Sequence, residues 1–211
     1  MPPSNSKDPS QIVKEGYNRA AARYLSARSR GSADLPLAGD FSQLLPEDAL
    51  VLDAGCGAGV PVTRFLTHTF RVVGVDFSLA QVRMGHQLVP PAHFTCQDIA
   101  QLAFPPDTFD GVCSFYAILH IPRVKHELVL LDFHRLLKPP GYALLCLGAE
   151  DIEADYAPYL GVPMFWSHFD ADTYLRMLTR LDFHLMTSQV VPDPIGPKGS
   201  HLFALVRKGG A

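Results

Sequence analysis

The sequence predicts an α/β fold: a doubly wound, seven-stranded, mostly parallel sheet with an antiparallel last strand. Three observations carry the prediction. Short apolar runs near 50–54, 71–76, 92–96, 110–115 and 142–148 alternate with helical patterns near 60–68, 79–88 and 124–137. Such alternation implies parallel strands joined by right-handed crossovers. The first strand closes on a glycine-rich turn, Gly55-Cys56-Gly57-Ala58-Gly59, and the second on an acid, Asp76. The last two strands, near 184–191 and 201–207, are joined by the loop Pro192–Gly199, and a hairpin there is antiparallel.

The elements follow in order. Residues 1–10 carry proline, serine and asparagine with little apolar content and are expected to be disordered. Residues 11–211 form a single domain. A helix is expected from Ile12 to about Ser29, with Tyr17 and Tyr24 seven apart on one face. A break at Gly31–Pro36 and a short helix at Ala38–Leu45 complete an N-terminal helical cap over 11–45. Val51 and Leu52 supply the first strand, and the glycines after it let the backbone pass close to a ligand. The helix from about Val60 presents unpaired N–H groups to that turn. Residues 149–169 interrupt the α/β rhythm with Met164-Phe165-Trp166-Ser167-His168-Phe169, which contains the only tryptophan. This insertion is read either as a lid, with Phe165 and Trp166 clamping a small substrate, or as plain packing on the sheet edge. A helix near 171–181 follows, with Asp170 as an N-cap type.

Composition narrows the function classes. The chain has 211 residues, 47% hydrophobic and 18% charged, with a formal net charge of −3. That balance suits a soluble enzyme and lacks the basic footprint of nucleic-acid binding. The four cysteines, Cys56, Cys96, Cys113 and Cys146, form no C-x-x-C pair and read as free thiols in a reducing compartment. No apolar run of membrane-spanning length and no apolar signal core are present. A cytoplasmic protein is therefore expected, with no membrane partner; its oligomeric state is not readable. No metal site is expected. His126-Glu127 lacks the second histidine of H-E-x-x-H, because position 130 is Leu, and reads as a solvated helix start.

The turn selects a ligand. A dinucleotide fingerprint has G-x-G-x-x-G. Here the spacing is G-x-G-x-G, and Asp53 stands two residues before Gly55. A carboxylate there repels a pyrophosphate and welcomes an amino-acid ammonium. Asp76, about 20 residues beyond the turn, stands where an acid hydrogen-bonds ribose. At this point the chain resembles the class I S-adenosylmethionine-dependent methyltransferases. Val51-Leu52-Asp53-Ala54-Gly55-Cys56-Gly57-Ala58-Gly59 is similar to their first motif. Asp76, Gln97-Asp98-Ile99, Phe109-Asp110-Gly111-Val112 and Leu137-Lys138-Pro139-Pro140-Gly141-Tyr142 continue the resemblance in order. Pro140-Gly141 departs from the family's Gly-Gly.

The resemblance implies S-adenosylmethionine as cofactor and methyl transfer to a small-molecule acceptor. By it, Asp53, Ala54, Gly55, Cys56, Gly57 and Gly59 hold the amino-acid part. Asp76 meets the ribose, Asp98 and Ile99 the adenine, and Phe115, Tyr116 and Ala117 the methionine side; Phe77, next to Asp76, is a further cofactor-binding candidate. Met84 packs near the adenine or serves as core filler. Tyr17 and Tyr24 resemble the tyrosines of a cap. His120 follows the fourth strand, where a ligand crevice opens. It reads as a general base, or else as a cofactor contact or loop packing. His168 reads as a second base, a polar anchor or a helix-start cap. Phe165, Trp166 and Tyr116 are the substrate-binding candidates. A non-methylating enzyme or a non-catalytic binding module on the same fold remains the alternative.

Overall fold

In chain order, the computed structural model has α1 (Pro9–Arg28), α2 (Asp34–Ser42), β1 (Leu50–Ala54), α3 (Val62–Leu66), β2 (Arg71–Asp76), α4 (Leu79–Leu88) and β3 (His93–Cys96). There follow β4 (Phe109–Ser114), α5 (His126–Leu136), β5 (Leu137–Gly148), β6 (Ile152–Tyr159), β7 (Val162–His168), α6 (Ala171–Arg180), β8 (Phe183–Pro192) and β9 (Ser200–Lys208). Residues 8–28, 34–193 and 199–210 are described. Seven strands form one sheet in the order β3-β2-β1-β4-β5-β9-β8. β1 to β5 are mutually parallel, and β9 runs antiparallel between β5 and β8. The sequence reading of seven strands, with the last antiparallel, matches this sheet.

Successive strand residues point to opposite faces. Leu52, Val112, Leu145 and Ala204 join one core with Leu130, Phe133 and Tyr174 of α5 and α6. Val51, Cys113, Leu144 and Phe203 join the other, with Phe41, Val62, Leu66 and Val82 of α2, α3 and α4. Both faces are therefore covered, and the ligand crevice is confined to the carboxyl ends of the strands.

Several expectations are corrected. Pro9 and Ser10, within the segment expected to be disordered, open α1; residues 1–7 lie outside the described residues. The break expected over Gly31–Pro36 yields at Asp34 to α2, with Pro36 in its first turn, where a missing N–H costs nothing. Residues 29–33, and 194–198 of the last loop, lie outside the described residues. β5 begins at Leu137, pairs with Phe109, and rejoins β4 at Tyr142 across a register shift. The 149–169 insertion is a β-hairpin, β6 paired with β7. Its inner residues Val162, Met164 and Phe165 pack on Val13 and Ala20 of α1 as a third small core.

Candidate active site

The turn after β1 is built for close approach. Gly55 has φ +83°, and a Cβ there would lie 2.1 Å from the Ala117 Cβ. Gly57 has φ +56° and donates its N–H to Asp76 Oδ2 at 3.0 Å. Asp76 Oδ1 accepts from the Ser78 N–H at 2.8 Å. Burial pushes the Asp76 carboxyl up to about 6, against the pull of these two hydrogen bonds. Ser78 caps α4, and its hydroxyl also donates to Asn18 Oδ1 of α1 at 2.8 Å. One helix is thereby tied over the carboxyl end of β2.

Under α1 lies a concave cavity at the carboxyl ends of the strands, the place where a parallel α/β sheet opens its ligand crevice. Of the residues read from sequence, Tyr17, Tyr24, Gly55, Gly57, Asp76, Phe77, Asp98, Ile99, Phe115, Tyr116, Ala117 and His120 line it. Ser10, Val13, Gln81, Ala100, Ile121 and Lys125 line it too and went unread. Gln81 is the informative omission. It is fully buried, and among the described residues neither its Oε1 nor its Nε2 has a partner. An orphaned buried amide is costly unless a ligand completes it. Its signal was available, since it stands three residues after the capping serine, at the end of α4 that faces the crevice.

Other expected contacts fall elsewhere. Asp53 is buried behind the turn, where its Oδ2 accepts from Thr63 Oγ1 at 2.6 Å. It joins β1 to α3, outside the cavity, and burial pushes its carboxyl up to about 6. Ala54 is in the core, and its carbonyl accepts from Ser114 Oγ at 2.9 Å. The Cys56 sulfur lies over Gly74 of β2. Gly59 makes room for Phe94, since a Cβ there would lie 2.7 Å from that ring. Met84, half-buried on α4, does not line the cavity. His168 is buried against Gly148 and donates from Nδ1 to the Glu150 carbonyl at 2.7 Å, away from the cavity. Asp170, not His168, caps α6, accepting from the Thr173 N–H at 2.8 Å. The Phe165 ring is buried beside Tyr156 rather than facing the cavity. His126 is buried, not solvated. Its Nε2 donates to the Ile121 carbonyl at 2.8 Å and its Nδ1 accepts from Tyr174 Oη at 2.6 Å.

His120 sits at the hub. Its Nδ1 donates to the Phe165 carbonyl at 2.7 Å, which leaves Nε2 to accept from Tyr17 Oη at 2.8 Å. Burial lowers its pKa to about 4, so the imidazole is neutral at physiological pH. Tyr116 follows β4 at φ +56°, a conformation a bulky residue adopts at a cost. That cost places its hydroxyl 2.8 Å from Asp34 Oδ1 and its ring 4.5 Å from the Arg28 guanidinium carbon. Arg28 and Asp34 form a buried ion pair.

A second, smaller cavity adjoins the first, and Tyr17, Tyr24, Tyr116 and His120 line both spaces. Trp166 lines this second space, its ring centroid 5.5 Å from that of His120. The described helices include none long and apolar enough to cross a membrane.

Residues 51–141 match a family model described as a methyltransferase domain. The chain is 36% identical over 102 residues to a 2-methyl-6-phytyl-1,4-hydroquinone methyltransferase of Synechocystis, covering 46% of this chain and 31% of that one. It is 30% identical over 96 residues to a demethylmenaquinone methyltransferase of Streptomyces griseus, covering 46% and 41%. It thus spans less than half the length of these curated relatives. Among solved structures, it is similar to a 1,6-didemethyltoxoflavin-N1-methyltransferase of Burkholderia thailandensis, determined with bound 1,6-didemethyltoxoflavin and S-adenosylhomocysteine. That likeness has a TM-score of 0.75 at 20% identity, covering 98% of this chain and 93% of the other.

Proposed function

We propose that the chain, whose residues 51–141 match a methyltransferase-domain model, is a class I S-adenosylmethionine-dependent methyltransferase and that it methylates a small-molecule acceptor. The observation that carries the proposal is the first cavity. It brings a glycine turn, the Asp76 carboxylate, Asp98 and the unpartnered Gln81 amide together at the carboxyl ends of β1, β2 and β3. These groups fit an amino-acid nucleoside: a carboxylate for ribose hydroxyls, apolar Phe77 and Ile99 for a flat base, and an amide with donor and acceptor free. Gly55 and Gly57 supply a backbone surface without Cβ for the amino-acid part. Tyr17 and Tyr24 close the space from above. The methionine side faces Phe115, Tyr116 and Ala117.

When bound, S-adenosylmethionine supplies a methyl on a sulfonium; the acceptor atom takes that methyl, and the S–C electron pair stays on sulfur. The chain's own contribution is positioning and one proton. Rigid walls align donor and acceptor, the main source of rate when the leaving group is already good. His120 Nε2, unprotonated, takes the acceptor's proton. Residues 11–45 act as the cap, and the 149–169 hairpin as its support, within a single domain over 11–211. Free thiols at Cys56, Cys96, Cys113 and Cys146 support a cytoplasmic setting. The acidic net charge supports a partner other than nucleic acid.

Calorimetry with S-adenosylhomocysteine tests the reading. The protein is expected to bind it, and Asp76→Ala to weaken binding by about 1.5–3 kcal/mol, the worth of a charged hydrogen bond. Equal affinity in the variant overturns the ribose assignment.

A further inference from the structure

We propose that the second cavity is the acceptor chamber and that it takes a neutral, planar, one- or two-ring aromatic or heteroaromatic molecule bearing an O–H or N–H. The proposal rests on the methyltransferase reading and names the class of its substrate.

The position follows from the shared wall. Tyr17, Tyr24, Tyr116 and His120 line both cavities, so the two spaces adjoin at these side chains. A molecule in the second space therefore adjoins the first at His120, whose Nε2 is the ring nitrogen not committed to the Phe165 carbonyl. In the structure that nitrogen accepts from the Tyr17 hydroxyl. An acceptor O–H or N–H takes the place of that hydroxyl. As its oxygen or nitrogen gains the methyl, its proton passes to Nε2, while Nδ1–H stays anchored on the Phe165 carbonyl.

The class follows from the lining. Trp166 stands edge-on to Tyr159, with centroids 5.8 Å apart, and tilted to His120. Tyr116 packs edge-on to His201 at 5.0 Å. Ring walls favour a flat guest through stacked and edge contacts. The charges in the wall are already spoken for. Arg28 is paired with Asp34, and Asp193 accepts from His201 Nε2 at 2.8 Å. Among the described residues of the lining, no cation is left to meet a carboxylate or phosphate, so an anionic guest enters at a desolvation cost. A long hydrocarbon guest is disfavoured for the opposite reason. It would cover His201 Nδ1, which has no partner among the described residues, without pairing it. The second space is about half the first, so its guest is smaller than the nucleoside that the first accommodates.

The test is calorimetry on the full chain, titrating naphthol, naphthoate and phytol separately, each with and without saturating S-adenosylhomocysteine. Naphthol is expected to bind, with naphthoate and phytol at least about tenfold weaker. Trp166→Leu and Tyr159→Leu are each expected to weaken naphthol about tenfold while leaving S-adenosylhomocysteine affinity and the thermal midpoint near wild type. Tyr159→Phe, which keeps the ring, is expected to retain most naphthol binding. The chamber assignment is overturned if naphthol does not bind, if naphthoate or phytol binds as tightly, or if both leucine variants keep wild-type naphthol affinity. Failure of S-adenosylhomocysteine to bind sinks the methyltransferase reading instead, and the naphthol titration without it still decides the chamber.

Discussion

His120 is held by two bonds that fix its chemistry: the Phe165 carbonyl takes its Nδ1 proton, and Tyr17 donates to Nε2. For an acceptor that must lose a proton, His120→Ala is expected to lower turnover by about 10²–10⁴-fold, with S-adenosylhomocysteine affinity nearly unchanged. Burial holds the imidazole near pKa 4. The acid limb of kcat assigned to it should therefore fall well below pH 6. Steady-state kinetics across pH check both points, and a wild-type-like turnover in the variant rejects the base. The residue scale is also where sequence reading succeeded and failed most visibly. Motif spacing put Asp76, Asp98 and His120 at strand ends, and strand ends in a parallel sheet share one edge. It could not say which way a side chain turns there. Asp53 turns back to Thr63, and His168 turns to the Glu150 carbonyl. Gln81 and His201 were passed over because a lone amide or imidazole carries no pattern until burial shows it unpaired.

At the scale of elements, α4 and β3 lock through one ring. Added Cβ atoms at Gly59, Gly74 and Gly85 would approach Phe94 to 2.7, 2.9 and 2.6 Å, so the phenyl fills a slot left by three glycines. In a free helix Gly→Ala gains about 1 kcal/mol. At Gly85 overpacking, worth about 1–3 kcal/mol, wins. Gly85→Ala is expected to lower the urea midpoint, and a raised midpoint would contradict the slot. The β6–β7 hairpin escaped sequence reading because most of β6 is exposed and its polar residues hide the alternation of a strand. β1, β4 and β9 were legible because their runs are buried on both faces, whereas β8, mostly exposed, was legible from its Leu- and Val-containing run. α1 leans on that hairpin and on the start of α4 through Asn18. Hydrogen exchange in α1 and in β6–β7 is expected to slow when S-adenosylhomocysteine binds; unchanged exchange in both rejects the cap.

For the whole molecule, buried groups of opposite habit set the response to acid. Asp53 and Asp76 are pushed up to about 6 by burial, and His120 and His126 down to about 4. A raised carboxyl contributes stability below its ordinary 3.8 and loses it as pH rises through about 6. A lowered imidazole contributes above its ordinary 6.5 and loses it as pH falls through about 4. Between those limits the two pairs oppose each other. The raised carboxyls should therefore offset part of the fall in thermal midpoint of the cofactor-free protein between about pH 6 and 4.5. Combining Asp53→Asn with Asp76→Asn should leave the imidazoles unopposed, so that the midpoint drops more steeply on acidification. A wild-type drop as steep as the variant's would show that the compensation is absent.

The placement of β9 between β5 and β8 bears on how the chain reaches this state. The partner of β5 is not the next strand along the chain but one that pairs Gly148 with His201. Until β8 and β9 have formed their own pair and docked, β5 offers an open edge flanked by buried apolar residues, Leu144, Leu145 and Leu147. Such an edge recruits strands from other molecules as readily as its own. Recovery of the native protein from denaturant is thus a race between an intramolecular docking of fixed rate and an encounter that quickens with concentration, and dilution is what favours the first.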